Sequence, residues 1–207
     1  AQWATRTRHA HGGRVEMGRR GVFMKRLWIK AGGDPANAAY AQPPGDGELT
    51  IYGPGGTVVR PKPFTVGEGG GFTFSMPKEG FYDAYLVRRR VDGDVLTATI
   101  TKAEVLKHSC PNGHDRRTTV ALMSPRTSAD IPFEIVRERL HNEDFHTHLV
   151  SGDDIGFRVY RDGKPAAGVT VRLTTQKGWS KSAVSDADGQ VSFQLVADYF
   201  PDWKHFD

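Results

Sequence analysis

The chain has 207 residues, 38% of them hydrophobic, and 28 basic against 24 acidic side chains leave a net charge of +4. That length holds one large domain or two small ones, and an excess so small and so scattered argues against a nucleic-acid partner. A single cysteine excludes an internal disulfide, no apolar run reaches the roughly 18 residues that span a bilayer, and 24 glycines with 12 prolines favour turns and short strands over long helices.

Residues 1–21 are basic and glycine-rich and are expected to form an arm with little structure of its own. The opening Ala1-Gln2-Trp3 suits a mature end left by a signal peptidase, which points to export. Residues 22–31 form an apolar run with basic insertions, bracketed by Gly21 and Gly32-Gly33, and predict a strand. Residues 34–47 read as loop. A strand over 48–52 stops at Gly53-Pro54-Gly55-Gly56. Residues 57–59 follow, and Pro61 with Pro63 demotes this piece to a sheet edge. The glycines of 67–71 predict a flexible hairpin loop, since no helix follows them to receive a phosphate. Strands are expected at 72–74, 81–88 and 95–103, with turns at Pro77 to Gly80 and at Asp92-Gly93. Arg88-Arg89-Arg90 beside that turn reads as a solvated strand end. Residues 22–106 thus hold enough strands for one sandwich. The aromatics Trp28, Tyr40, Tyr52, Phe64, Phe72, Phe74, Phe81, Tyr82 and Tyr85 are expected to supply most of its core.

Residues 107–130 are polar and irregular and read as a connector. The second module, 131–207, carries the clearest pattern in the chain. Ile155, Phe157 and Val159 alternate with Gly156, Arg158 and Tyr160; Val169, Val171 and Leu173 repeat the period, as do Val191, Phe193 and Leu195. Asp162-Gly163 and Asp188-Gly189 supply the positive backbone dihedrals of tight turns. Trp179 is expected at an exposed hairpin tip. The strands countable from residue 131 onward fall short of the seven of a full immunoglobulin sandwich. The module therefore reads as lacking its last strand: either the chain continues in nature, or a partner supplies that strand by addition at the edge.

Pro132-Phe133-Glu134-Ile135-Val136, then Gly152-Asp153 with Ile155, Phe157 and Val159, then Asp162-Gly163-Lys164-Pro165 with Gly168 and Val171, then Ser185-Asp186-Ala187-Asp188-Gly189 with Val191 and Phe193, form an ordered series. This series resembles a family of bacterial periplasmic accessory proteins of nickel or cobalt uptake, which carry a carboxypeptidase-regulatory-like β-sandwich on their C-terminal side. Gly71 to Phe74 with Pro77, Gly80, Phe81 and Tyr82 looks like the end of that family's first β-domain. The resemblance implies a periplasmic location and partners among other envelope proteins, met by edge-strand addition or through a membrane-bound complex. Two features depart from the family pattern: the further strand with which family members commonly finish, often followed by a membrane segment, is absent from residues 131–207, and the connector with its cysteine and two histidines does not match.

The eight histidines are unevenly placed. His141, His146 and His148 fall in one loop with Glu143 and Asp144; in extended chain His146 and His148 project from one face, a donor set that Zn²⁺, Ni²⁺ or Cu²⁺ accepts. His9 and His11 form a second pair in the arm, where binding would have to order a flexible segment. His108, Cys110 and His114 form a third group, a thiolate with two imidazoles suited to Cu or Zn. Against each stands the plainer reading of a polar loop or turn. Asp153, Asp154, Asp186 and Asp188 offer oxygens to Ca²⁺, but turn capping explains them more simply. No G-x-S-x-G, H-E-x-x-H or G-x-x-x-x-G-K occurs, and nothing orients a base beside Cys110.

The expectation is an all-β protein with two Ig-like or prealbumin-like β-sandwich modules in tandem, joined by an irregular connector. Its expected role is that of a non-enzymatic, exported accessory or interaction protein of a bacterial envelope assembly. The alternative is a periplasmic protein that binds a divalent transition metal (Ni, Co, Cu or Zn) and serves its uptake.

Overall fold

The computed structural model describes residues 2–4, 23–31, 39–107, 130–139, 149–175 and 179–196. Every regular element among them is a strand apart from one 3₁₀ turn, and all strand pairs are antiparallel. The chain divides into two compact units, Ala1–Met123 and Ser124–Asp207.

The first unit holds β1 (Gln2–Ala4), β2 (Phe23–Ala31), β3 (Ala39–Tyr40), β4 (Gly47–Tyr52), β5 (Val58–Val59), β6 (Lys62–Val66), β7 (Gly69–Met76), β8 (Gly80–Asp92) and β9 (Val95–Lys107). One sheet runs β1-β2-β7-β6, with β3 also on β2; a second runs β5-β4-β8-β9. Gln2–Ala4 lies along β2, so the start of the expected arm belongs to a sheet. Leu27, Phe74 and Met76 from the first sheet meet Ile51, Tyr82, Ala84, Ala103 and Val105 from the second in one core. The two sheets thus form a two-layer unit, each covering the apolar face of the other.

The expected strand at 22–31 is β2, and its alternation buries Leu27 and Ile29. The expected edge character of the proline-flanked segment holds for β5 and β6. Each pairs with one neighbour, and Pro63 sits inside β6. The glycine run is a correction. The turn takes Gly67 and Glu68 alone, while Gly69, Gly70 and Gly71 are buried inside β7. A Cβ on Gly71 would stand 1.9 Å from the Leu27 carbonyl oxygen, and one on Gly70 would stand 2.7 Å from that of Phe64. These glycines let three backbones approach closely; they are not there for flexibility.

The expected aromatic core is also corrected in part. Phe74 and Tyr82 lie in it, but Trp28, Tyr40 and Phe64 stand on the opposite, outward face of the β2 sheet. Trp28 and Phe64 flank Gly71 in one cross-strand row, and their rings meet edge to face at 4.8 Å. Trp28 meets Tyr40 at 5.5 Å in the same manner. Arg26 stands 5.4 Å from the Phe64 ring centroid and Lys30 5.3 Å from that of Tyr40. The rings fill the space that the side-chain-free strip of β7 leaves open, a known remedy for glycine in sheets, and the cations cap them.

The second unit holds β10 (Phe133–Glu138), β11 (Asp154–Arg161), β12 (Lys164–Pro165), β13 (Thr170–Thr174), β14 (Ser180–Val184) and β15 (Gln190–Gln194). β11 is central, with β10 along one edge and β15 and β12 along the other; β13 and β14 form a second, two-stranded sheet. Val159, Val171, Val191 and Phe193 make the core, with Ile155, Phe157, Val169 and Leu173 packed against it, as the alternation predicts. Asp162 (φ 50) and Gly163 (φ 74) form the two-residue turn between β11 and β12, the signature of type I′. Trp179 stands at the loop end of the β13–β14 hairpin, where its carbonyl accepts from the Thr175 N–H at 2.8 Å, but it is half-buried there and not exposed as expected.

Candidate interaction surface

The proposed metal ligands His9, His11, His108, Cys110, His114, His141, His146 and His148 lie outside the described residues. Among the described residues no group of three or more His, Cys, Asp or Glu side chains is placed to hold a metal ion. The aspartates of the second unit serve turns. Asp186 Oδ1 accepts from the N–H of Asp188 at 2.9 Å and of Gln190 at 2.8 Å, and Asp153 Oδ2 accepts from the Val150 N–H at 2.8 Å.

Two polar clusters stand on sheet faces. On the outward face of the β8 sheet, Asp83 and Tyr85 are buried, Glu104 stands opposite Asp83, and Lys102 lies 3.6 Å from Glu104 and 5.4 Å from the Tyr85 ring. In the second unit Arg158 pairs with Glu138 at 2.8 Å across β10 and β11. The second is an opposite-charge pair across neighbouring strands, whereas in the first the ion pair lies within β9 and two carboxylates face each other across β8 and β9.

The sheet edges differ more than the faces do. An open edge presents unpaired N–H and C=O groups, and proteins guard such edges with lysine, proline, inward charge or shortness. β6 carries Lys62 and Pro63; β9 carries Lys102, Glu104 and Lys107; β10 carries Glu134, Arg137 and Glu138; β13 carries Arg172 and β14 Lys181. β15 reads Gln-Val-Ser-Phe-Gln, without charge or proline. Among the described residues it pairs with β11 along one edge, and no strand follows on the other.

The geometry of that edge follows from its hydrogen bonds. The Leu195 N–H donates to the Asp153 carbonyl and the Val159 N–H to the Gly189 carbonyl, both at 2.8 Å. Odd-numbered residues of β15 therefore turn their backbone groups toward β11, and even-numbered ones turn them to the open edge. The Gln190 groups there are taken up by the turn, since its carbonyl accepts from the Asp186 N–H. Ser192 and Gln194 present the rest. Val191 and Phe193, buried in the core, hold the strand in register while its edge faces outward.

Sequence reasoning located this strand through the alternation of residues 191–195. It missed the aromatic and cationic row on the β2 sheet, because ring content alone does not say which face a ring occupies. The glycine run opposite Trp28 was the available signal. No family model matches the chain, and neither a curated protein nor a solved structure matches it.

Proposed function

We propose that the chain is a non-enzymatic accessory component of a bacterial envelope assembly, and that it recruits a partner protein by β-strand addition along the outer edge of β15. The observation that carries this reading is the unguarded edge itself: a strand without charge or proline, locked in register by two buried side chains, with backbone groups at Ser192 and Gln194 facing outward. Such edges capture extended segments through main-chain hydrogen bonds.

The finer fold reading belongs to the same proposal: two Ig-like sandwich modules in tandem. It is supported by the two-layer core of each unit. It is also supported by Tyr82, whose hydroxyl donates to the Lys78 carbonyl at 2.8 Å and accepts from the Lys78 N–H at 3.1 Å. Greek-key sandwiches carry a tyrosine that bonds back to upstream backbone in this way. The exported location rests on the resemblance of the second unit to periplasmic accessory proteins.

Ser192→Pro tests the edge. Proline removes an N–H that faces away from β11, so the strand keeps its own pairing while the edge loses a donor. Proteins that copurify with the wild-type chain should be lost with Ser192→Pro and retained with Gln194→Ser. Equal recovery with all three chains would refute edge capture.

A further inference from the structure

β8 and β9 run on past their sheet. β4 accompanies β8 up to the Gly47–Arg88 pair, where Arg88 makes a two-point ion pair with Asp46 at 2.9 and 3.0 Å. Beyond that point, among the described residues, β8 and β9 pair only with each other up to the turn at Gly93 (φ 59) and Asp94. Residues 89–99 are all exposed, among them Val91 at 70%, Val95 at 63% and Leu96 at 63%. A two-stranded ribbon with apolar residues on it is barely stable alone in water, and both of its edges are open to another strand.

The free stretch of β8 is complementary to itself. It reads Arg88-Arg89-Arg90-Val91-Asp92-Gly93-Asp94, basic before Val91 and acidic after it. With two residues in the turn, Asp92 and Val95 exchange backbone hydrogen bonds with each other. Alternation then turns the N–H and C=O of Val91 and Arg89 to the open edge. An antiparallel second copy centred on Val91 would bond these groups reciprocally, Val91 to Val91. The same register sets Arg90 opposite Asp92 twice, in non-hydrogen-bonded positions where side chains stand closest. On the other face it aligns Leu96, Val91, Val91 and Leu96 in one apolar row, because Val91 pairs with Leu96 within each ribbon. Arg89 approaches Glu48 at 3.6 Å; among the described residues Arg90 and Asp92 have no ion pair or side-chain hydrogen bond of their own.

We infer that this ribbon is a self-association element: two copies of the chain pair their β8 edges about a two-fold axis through Val91, forming a weak, reversible dimer. The outer edge of β9 over residues 95–100 carries no charge and would give no such register. Few residues take part, so the contact falls in the weak class, and its exposed ion pairs make it sensitive to salt. The interface does not involve β15, so it stands or falls apart from partner capture.

Sedimentation equilibrium of the full chain and its variants decides the matter. Wild type should show a concentration-dependent monomer–dimer equilibrium that weakens with added salt. Arg90→Asp sets like charges opposite each other at both reciprocal positions, as does Asp92→Arg, and each should weaken the dimer about tenfold or more. Mixing those two single variants should restore a dimer between unlike chains, and the double variant Arg90→Asp/Asp92→Arg should restore the wild-type constant. Val91→Pro removes an N–H not used within the ribbon and should abolish association while thermal unfolding of the monomer stays cooperative. A chain that stays monomeric at its highest soluble concentration would overturn the inference, and so would a dimer indifferent to Arg90→Asp, Asp92→Arg and Val91→Pro.

Discussion

β8 and β15 are both antiparallel strands, yet they meet their surroundings differently. In β15 burial alternates strictly, with Val191 and Phe193 inside and Gln190, Ser192 and Gln194 outside. In β8 every residue from Tyr82 to Val87 is buried, on both faces of the sheet. Past Arg88 the same strand is exposed on both faces. One strand therefore passes from interior to solvent along its length, while the other divides the two environments across its width. A one-sided strand can recruit through its edge without disturbing its core. A strand enclosed on both faces has to extend beyond the body before it can meet anything, and the β8–β9 ribbon does so.

The contrast between the units can be broken most sharply at glycine. Gly71→Ala would press a Cβ against the Leu27 carbonyl oxygen, where a backbone has to yield. The expected loss is at least about 4 kcal/mol, in the exceptional range for a point substitution, read as a fall in the urea midpoint or as loss of soluble protein. Gly163→Ala in the second unit meets open space and should cost about 1 kcal/mol through its positive φ alone. Equal losses at the two positions would remove the distinction.

A middle-sized effect compares a buried hydroxyl in each unit. Ser185 Oγ donates to the Ala166 carbonyl at 2.7 Å and accepts from the Val169 N–H at 3.0 Å, tying the turn before β13 to the end of β14. Tyr82 plays the matching part at Lys78, and burial pushes its phenol pKa up despite the opposing backbone hydrogen bond. Ser185→Ala should cost about 2 kcal/mol and Tyr82→Phe about 1 kcal/mol in chemical denaturation. The larger loss is assigned to Ser185 because its bonds are the more buried; the reverse order would contradict that assignment.

The smallest effect is a gain. Lys25 lies on the same face of β2 as Leu27 and Ile29, opposite Phe74, and burial lowers its ammonium pKa below the ordinary lysine value. The folded chain holds that proton less tightly than the unfolded chain. The penalty is therefore complete below the lowered folded pKa, and stability rises with pH from there up to the ordinary value. Lys25→Met should raise Tm by about 2–4 °C at neutral pH and flatten that alkaline rise. An unchanged pH profile would show that Lys25 already reaches solvent.

How well the chain could be read followed the same divide. In the second unit the strands, including the one at 191–195, the Asp162-Gly163 turn and the capping aspartates were all legible, because period-two alternation survives wherever a strand has one wet face. In the first unit the strands at 23–31 and 47–52 were legible and the edge prolines too. The glycine run was misread as a loop, because composition shows missing side chains but not the neighbouring backbone that requires their absence. Trp28, Tyr40 and Phe64 were misassigned to the core for a related reason. A ring buries area on either side of a sheet, and the side is fixed by register.

The sequence by itself determined the all-β class, the turn positions and the inward residues of β11, β13 and β15, since each depends on chemistry within a few residues along the chain. Tertiary structure alone decided that Gly71 lies against Leu27, and that β8 outruns β4, so that among the described residues Arg90, Val91 and Asp92 pair with β9 on one side and with no strand on the other. Those properties depend on which strands lie side by side and where each one stops, and such pairings join residues too far apart in sequence for any local pattern to carry them.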